Sequence, residues 1–168
     1  MKSLALQQVS SKFARRNAAR TLDKPIALKH IRSYLSPEIL ASLEAACREG
    51  FIYVWGAKEE RHHQTYKMLG RDSWVLFRQE RYIYKHAIMI ERTSNEELAE
   101  SLWGRDEDGE AWNEVFFFAR VKDKRILASS FNKAIGRSEN DNWQGLVVLP
   151  LKESEKLSAF FEKQLEGL

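Results

Sequence analysis

Residues 73–92 read SWVLFRQERYIYKHAIMIER. Both halves of this stretch are rich in β-branched and aromatic residues, which favour strands, and a short polar turn around Gln79 and Glu80 separates them. Two such runs joined by a tight turn are typical of an antiparallel pair. The stretch therefore predicts a β-hairpin in the middle of the chain.

Helix and strand signals flank the hairpin on both sides. Upstream, Ser36 is suited to cap a helix that Gly50 ends, and downstream the spacing of Leu98, Leu102 and Trp103 predicts a second helix. Residues 3–35 lack a clean period and are expected to form one or two short helices packed loosely on the body. Further strands are predicted at residues 51–55, 112–121, 122–128 and 144–151, short helices or turns at 65–72 and 129–136, and a last helix at 153–168.

These elements do not alternate regularly as βαβ units. The predicted fold class is therefore α+β: a small curved β-barrel or sheet with flanking helices. A chain of 168 residues fits one domain of ordinary size.

Composition narrows the class of protein. The chain is 43% hydrophobic and 30% charged, and it has no apolar run of the roughly 20 residues that span a membrane. Its start lacks a secretory apolar region, and Cys47 has no partner for a disulfide. A cytoplasmic location without membrane contact is expected.

Positive charge is concentrated in the first 35 residues. This segment has eight Lys and Arg against one acid, a net charge of +7, which leaves −4 for the rest of a chain whose total is +3. A basic segment on a mildly acidic body is typical of polyanion binding, although a solubilising tail has the same composition.

Familiar catalytic motifs are missing. The sequence has no phosphate-binding loop, dinucleotide fingerprint, nucleophile elbow or zinc-protease motif. Cys47 is alone, while His62 and His63 are adjacent and far from His30 and His86, so no metal site is expected. We expect a protein without catalytic activity, cofactor or metal.

Aromatic residues are abundant: five Trp, five Tyr and nine Phe. Trp55 precedes Gly56 at a strand end, where its ring could line a pocket and stack on a base, or fill the core. Trp103, on the apolar face of a helix, is expected in the core.

Residues 51–118 carry a resemblance to a known family. YVWG at 53–56, YKMLGRDSWVLF at 66–77 and NEELAESLWGRDEDGEAWNEVFFF at 95–118 stand in an order and spacing similar to EVE/YTH-like members of the PUA superfamily. NWQGL at 142–146 is similar to a late strand of that family. Within it, the chain most resembles the N-terminal DNA-recognition domains of modification-dependent, McrB-like restriction systems.

The resemblance implies a curved barrel whose aromatic pocket accepts one flipped, methylated base in DNA. It further implies a recognition domain, placed at residues 36–168, that targets a restriction nuclease or NTPase partner. The charge distribution and the sequence pattern make residues 1–35 a basic N-terminal arm or helices. An RNA reader and a structural or assembly domain remain the alternatives.

Candidate site residues follow from the resemblance and from the position of polar and basic side chains. The expected base pocket comprises Trp55, Gly56, Tyr66, Phe77, Tyr82, His62, His63, Gln64, Asn142 and Trp143. The expected phosphate contacts are Lys12, Arg15, Arg16, Arg20, Lys58 and Arg61.

Two substitution effects follow from this assignment. Trp55→Ala is expected to weaken binding by at least about 1 kcal/mol with the fold intact. Deletion of residues 1–24 is expected to flatten the salt dependence of binding while base selectivity survives.

Overall fold

The computed structural model describes residues 3–58, 67–149 and 157. The described strands are β1 (Leu4–Gln8), β2 (Ile26–Ala27), β3 (Phe51–Ala57), β4 (Trp74–Gln79), β5 (Tyr82–Ser94), β6 (Glu114–Leu127) and β7 (Leu146–Leu149). The described α-helices are α1 (Lys12–Thr21), α2 (Pro37–Ala46), α3 (Glu96–Trp103) and α4 (Ala128–Ala134). Two short 3-10 turns, Leu28–His30 and Arg32–Tyr34, precede α2.

The described strands form one sheet in the order β2-β3-β6-β5-β4-β1-β7. All neighbouring strands are antiparallel except β1 and β4, which run parallel. The predicted α+β class with a sheet and flanking helices is confirmed. The sheet is open, with β2 at one edge and β7 at the other, rather than a closed barrel.

The central hairpin is confirmed as β4 and β5. Gln79 pairs with Tyr82, and Glu80 takes a left-handed conformation (φ 53°) in the turn between them. The expectation of separate strands at 112–121 and 122–128 is wrong, because β6 is continuous. Its charged second half stays in the sheet by pairing with β5, where Lys85 and Asp123 form an ion pair of 2.6 Å.

Capping residues set the ends of the two predicted helices. Ser36 Oγ accepts the backbone N–H of Ile39 at 3.3 Å at the start of α2, and Asn95 Oδ1 accepts that of Leu98 at 2.9 Å at the start of α3. Gly104 ends α3 with a positive φ of 73°, a conformation that costs glycine little. Both helices are where the sequence predicted them.

Residues 3–35 are not loosely packed, and that expectation is wrong. β1 lies between β4 and β7, and its Leu4, Ala5 and Leu6 are almost wholly buried. α1 packs Ala14 and Ala18 into the core. The first strand and helix thus share one core with the rest of the sheet.

Different helices pack on the two faces of the sheet. We call the apolar cluster on the face that packs against α1 the inner cluster, and we call the opposite face of the sheet the outer face. The inner cluster contains Ala14, Ala18, Leu22, Trp55, Val75, Phe77, Ala87, Met89, Phe116 and Phe118. On the outer face, one apolar cluster lies with α2 and α3 and a second lies with α4.

Part of the last predicted helix is not tested. Leu157 is helical and buried, and the other residues of 153–168 lie outside the described residues. No described helix is long and apolar enough to cross a membrane.

Candidate nucleic-acid interface

Trp55 lies inside the inner cluster. It sits on β3 opposite Phe116 and is fully buried. The rings of Phe77 and Trp112 meet it edge-on, with centroids 5.6 and 5.7 Å away. The ring therefore supports the packing of the core, in an arrangement typical of aromatic pairs.

Several buried polar atoms have no hydrogen-bond partner among the described residues, and they include Trp55 Nε1, both amide atoms of Asn17 and the hydroxyl oxygen of Tyr84. Leaving a buried donor or acceptor unpaired costs about 1–3 kcal/mol, and folded proteins rarely do so. Unpaired atoms of this kind indicate where a ligand or ordered water completes the hydrogen bonds.

Helical spacing places Asn17 beside the aromatic rings. Phe13, Asn17 and Thr21 share one stripe of α1 at intervals of four residues. The ring of Phe13 meets that of Trp112 edge-on, with centroids 5.0 Å apart. The Thr21 hydroxyl donates a hydrogen bond to the Val54 carbonyl at 2.6 Å. Asn17 lies between these two contacts and is fully buried. Its amide is therefore held inside the protein at the level of α1 between the Phe13 and Thr21 contacts.

Tyr84 supplies a neutral hydroxyl to the same core. Burial, and then the charge of Asp23, raise the pKa of the Tyr84 phenol well above its usual range, while Arg15 acts in the opposite direction. Both charged residues lie at or beside α1. A phenol that stays protonated can donate and accept one hydrogen bond each.

Gly56 is packed tightly against α3. A Cβ at this position would collide with the ring of Trp103 and stand 2.9 Å from the carbonyl oxygen of Trp112. Trp103 is itself buried and donates from Nε1 to Thr21 Oγ1 at 3.1 Å. The predicted core position of Trp103 is confirmed, and Gly56 is needed for packing.

We expect Gly56→Ala to lower the free energy of unfolding by about 1–3 kcal/mol or more, because the surrounding rings are too closely packed to move freely. Denaturant unfolding followed by far-UV circular dichroism measures the change. Gly70→Ala is the matched control, since a Cβ there meets no atom within 4 Å. Equal stability of the two variants would contradict the expectation.

Other predicted pocket residues are dispersed. Phe77 contacts Trp55, but Trp143 is buried in the outer cluster with α4, where its Nε1 donates to Asn132 Oδ1 at 2.6 Å. Asn142 is exposed, and Tyr82 is half-buried under the guanidinium of Arg125. The structure does not bring these three residues to Trp55. His62, His63, Gln64 and Tyr66 lie outside the described residues.

The basic side chains of α1 differ in their surroundings. Lys12, Arg16 and Arg20 share an exposed stripe, and Arg16 also donates to the Trp103 carbonyl at 2.8 Å. Arg15 forms an exposed ion pair of 3.4 Å with Glu80. Lys12 and Arg20 are thus the residues on this helix best placed to meet phosphates.

Lys58 does not suit the predicted phosphate contact. Its ammonium lies 2.6 Å from Asp106, 3.1 Å from Asp108 and 3.2 Å from Glu110. The hydrogen bond that the ammonium donates to the Asp106 carboxylate is the largest of the effects that raise the pKa of Lys58 above its usual range. A phosphate would have to compete with these carboxylates. Arg61 lies outside the described residues.

The outer face carries a groove that sequence reasoning missed. Its volume is about 320 Å³, and its walls include Arg71, Trp74, His86, Ile88, Arg120 and Lys122. The Trp74 and His86 rings stack at 5.4 Å, nearly parallel. Burial, followed by the charges of Lys124 and Lys122, lowers the pKa of His86 to about 4, so its imidazole is neutral at pH 7. The sequence feature that could have indicated this groove is the alternation of basic residues at positions 120, 122 and 124.

Within residues 3–58 and 67–149, no three or more His, Cys, Asp or Glu side chains are grouped closely enough to hold a metal ion. Cys47 is buried, and burial raises the pKa of its thiol. Neither the inner cluster nor the groove has the chemistry of a metal site among these residues.

Comparison with known proteins relates the chain to one fold. No protein-family model matches it, and no curated protein matches it. The N-terminal domain of Thermococcus gammatolerans McrB, solved bound to m5C DNA, superimposes with a TM-score of 0.74 at 15% identity, covering 96% of this chain and 98% of that chain. At that identity the likeness establishes the fold. The predicted resemblance to McrB-like recognition domains is confirmed at that level.

Proposed function

We propose that this chain is a DNA-binding module that recognises a modified, methylated base. The single observation that carries the proposal is the set of buried polar atoms on Trp55, Asn17 and Tyr84 that have no hydrogen-bond partner among the described residues. It occurs on a fold shared with a domain that was solved bound to m5C DNA. The base is read out of the duplex, since its edge must reach atoms that are buried in the protein.

The unpaired atoms suit the edge of a base. The Asn17 amide offers one acceptor and two donors, and Trp55 Nε1 offers a donor. Amide side chains pair with adjacent donor and acceptor groups on a base, and a good pair of this kind discriminates by about 1–3 kcal/mol. A methyl group on the base gains apolar contact with the rings of Trp55 and Phe77.

Entry of the base requires the inner cluster to open. Trp55 and Phe77 are fully buried, whereas Phe13 and Trp112 are only partly buried. The rings of Phe13 and Trp112 are in contact, with centroids 5.0 Å apart. This pair is the easiest part of the aromatic set to displace. In the proposal, the base replaces these contacts and completes the hydrogen bonds of Asn17.

The module acts as a targeting subunit or domain without chemistry of its own. Its partner in the proposal is the nuclease or NTPase of a restriction system, located in the cytoplasm. The exposed Lys12 and Arg20 on α1 hold the phosphates near the base. RNA recognition is the alternative within the same fold class, and matched RNA oligonucleotides test it.

The test of base recognition is Asn17→Leu, the apolar substitution of similar shape. We expect affinity for a methylated duplex to fall about ten- to hundredfold, because the side chain can no longer pair with the base edge. The free energy of unfolding should rise by about 1–3 kcal/mol, since an unpaired buried amide is removed. Fluorescence anisotropy with matched methylated and unmethylated duplexes, and denaturant unfolding, measure the two effects.

Asn132→Leu is the matched control. Asn132 is equally buried, but its amide donates to the carbonyls of Glu139 and Asp141 and accepts from Trp143. This control should lose stability and keep its affinity per folded molecule. Unchanged preference for the methylated duplex in Asn17→Leu would overturn the base-reading role of Asn17, and absence of preference in the wild type would overturn the proposed function.

A further inference from the structure

The middle of the outer face lies between its two apolar clusters. The cluster with α2 and α3 ends near Ile90 and Ala119, and the cluster with α4 ends near Leu76 and Ile83. Between them lies the groove described above, whose Ile88 side chain is 42% exposed. An aliphatic residue exposed to that extent on the middle of a sheet is a candidate contact for a ligand.

Cations of this groove have no carboxylate partner among the described residues. Arg120 and Lys122 form no ion pair there, and Arg71 contacts only the Ser42 hydroxyl, at 3.5 Å. Elsewhere, Lys85 and Arg105 each meet two acidic side chains. Asp72 is the one acidic residue in the groove's described lining. The groove is therefore a site of uncompensated positive charge.

Aromatic and imidazole groups add to the walls of the groove. Trp74 stacks on His86, and His86 is the cross-strand neighbour of Lys122. His86 Nδ1 is buried and has no hydrogen-bond partner in the described part of the chain. Unpaired cations, a flat ring and an unpaired imidazole atom together form a site for an anionic ligand that also has apolar surface.

We propose that this groove is a second nucleic-acid contact, which binds the phosphodiester backbone of a DNA strand with Arg71, Arg120 and Lys122. The sugar or base of the same nucleotide packs on Ile88 and the edge of the Trp74 ring. Single strands bind proteins through this combination of cationic and apolar groups. A volume of about 320 Å³ is within the range of sites for small ligands, so the groove has room for about one nucleotide.

The second contact is separate from the inner cluster. Along β5, Tyr84, Ala87 and Met89 pack with the inner cluster, while His86 and Ile88 line the outer groove. The sheet stands between the two sites, so a straight duplex that delivers a base to the inner cluster does not cross the outer groove. In the proposal, the groove therefore holds another DNA strand, or a DNA segment that bends around the sheet.

Charge favours nucleic acid over an acidic peptide as the occupant. A phosphodiester strand presents one negative charge per nucleotide and neutralises adjacent cations while releasing counterions. Arg120 and Lys122 lie two residues apart on β6, about 7 Å along the strand. The test therefore uses a nucleic-acid probe, and failure of that probe decides against this occupant.

The experiment compares Arg120→Glu/Lys122→Glu with the wild type. Both side chains are exposed, so the fold should be kept. The probe is a fluorescein-labelled oligothymidylate of about 15 nucleotides, followed by anisotropy between about 50 and 200 mM salt. We expect affinity at low salt to fall at least about tenfold, and the slope of log affinity against log salt to decrease by about 1.4, since each contact to a single strand contributes about 0.7.

The charge-matched control is Lys29→Glu/Arg48→Glu, two exposed cations that do not line the groove. It should bind the probe more tightly than the groove variant does. Equal affinity of the two variants would overturn the groove as a nucleic-acid contact. This outcome is independent of base recognition, because the ratio of methylated to unmethylated duplex affinity is measured separately and should stay unchanged in the groove variant.

Discussion

Deletion of residues 1–24 should leave a chain that does not fold. This segment includes β1, which pairs with β4 on one side and β7 on the other through nine residue pairs in all. It also includes α1 and the residue that follows it, and Ala14, Ala18 and Leu22 of this part pack in the inner cluster. Loss of an internal strand and a core helix together removes more stabilisation than the roughly 5–15 kcal/mol by which a domain of this size is stable.

Thermal unfolding by circular dichroism tests this expectation. The truncated chain should show no cooperative transition, while the full chain unfolds in one step. Lys12→Gln/Arg20→Gln is the control, because it removes two exposed charges and leaves the segment in place. A cooperative transition in the truncated chain would restore the interpretation of this segment as an arm. The salt dependence of binding is then measured on the control variant, whose fold is intact.

Local signals account for the parts of the fold that the sequence predicted well. The turn at Glu80 and the caps at Ser36 and Asn95 depend on hydrogen bonds within a few residues. Their positions follow from side-chain chemistry alone. The same holds for Gly104, whose positive φ ends α3.

Long-range pairing accounts for the errors. LALQQ at residues 4–8 becomes a strand because β4, about 70 residues away in sequence, pairs with it in parallel. Nothing within the segment indicates that pairing. The charged residues 122–125 likewise remain in β6 because β5 lies beside them along its whole length.

The candidate site contains both residues that the sequence located and residues that it misplaced or missed. The resemblance located Trp55 and Phe77, which the structure brings into contact, whereas Trp143, which precedes β7, packs in the cluster with α4 on the opposite face. Asn17 was missed because basic residues obscure the apolar stripe of α1. The signal was present in the spacing of Phe13, Asn17 and Thr21, four residues apart.

Trp55→Ala should lower the free energy of unfolding by about 3–5 kcal/mol, the usual cost of replacing a buried large aromatic residue by alanine. The ring is fully buried and contacts Phe77 and Trp112, so its loss leaves a cavity that the sheet cannot close. The earlier expectation of an intact fold, drawn from a strand-end position, is therefore replaced by a core role. Denaturant unfolding monitored by circular dichroism measures the change.

Trp55→Phe separates packing from recognition. Phenylalanine keeps much of the apolar contact but lacks the Nε1 donor, which has no hydrogen-bond partner in the described core. Its loss of stability should be clearly smaller than that of Trp55→Ala, whereas its affinity for a methylated duplex should still fall, by about fivefold or more, as one donor to the base is removed. Unchanged affinity in Trp55→Phe, measured on folded protein, would confine Trp55 to packing and leave Asn17 and Tyr84 as the polar groups that meet the base.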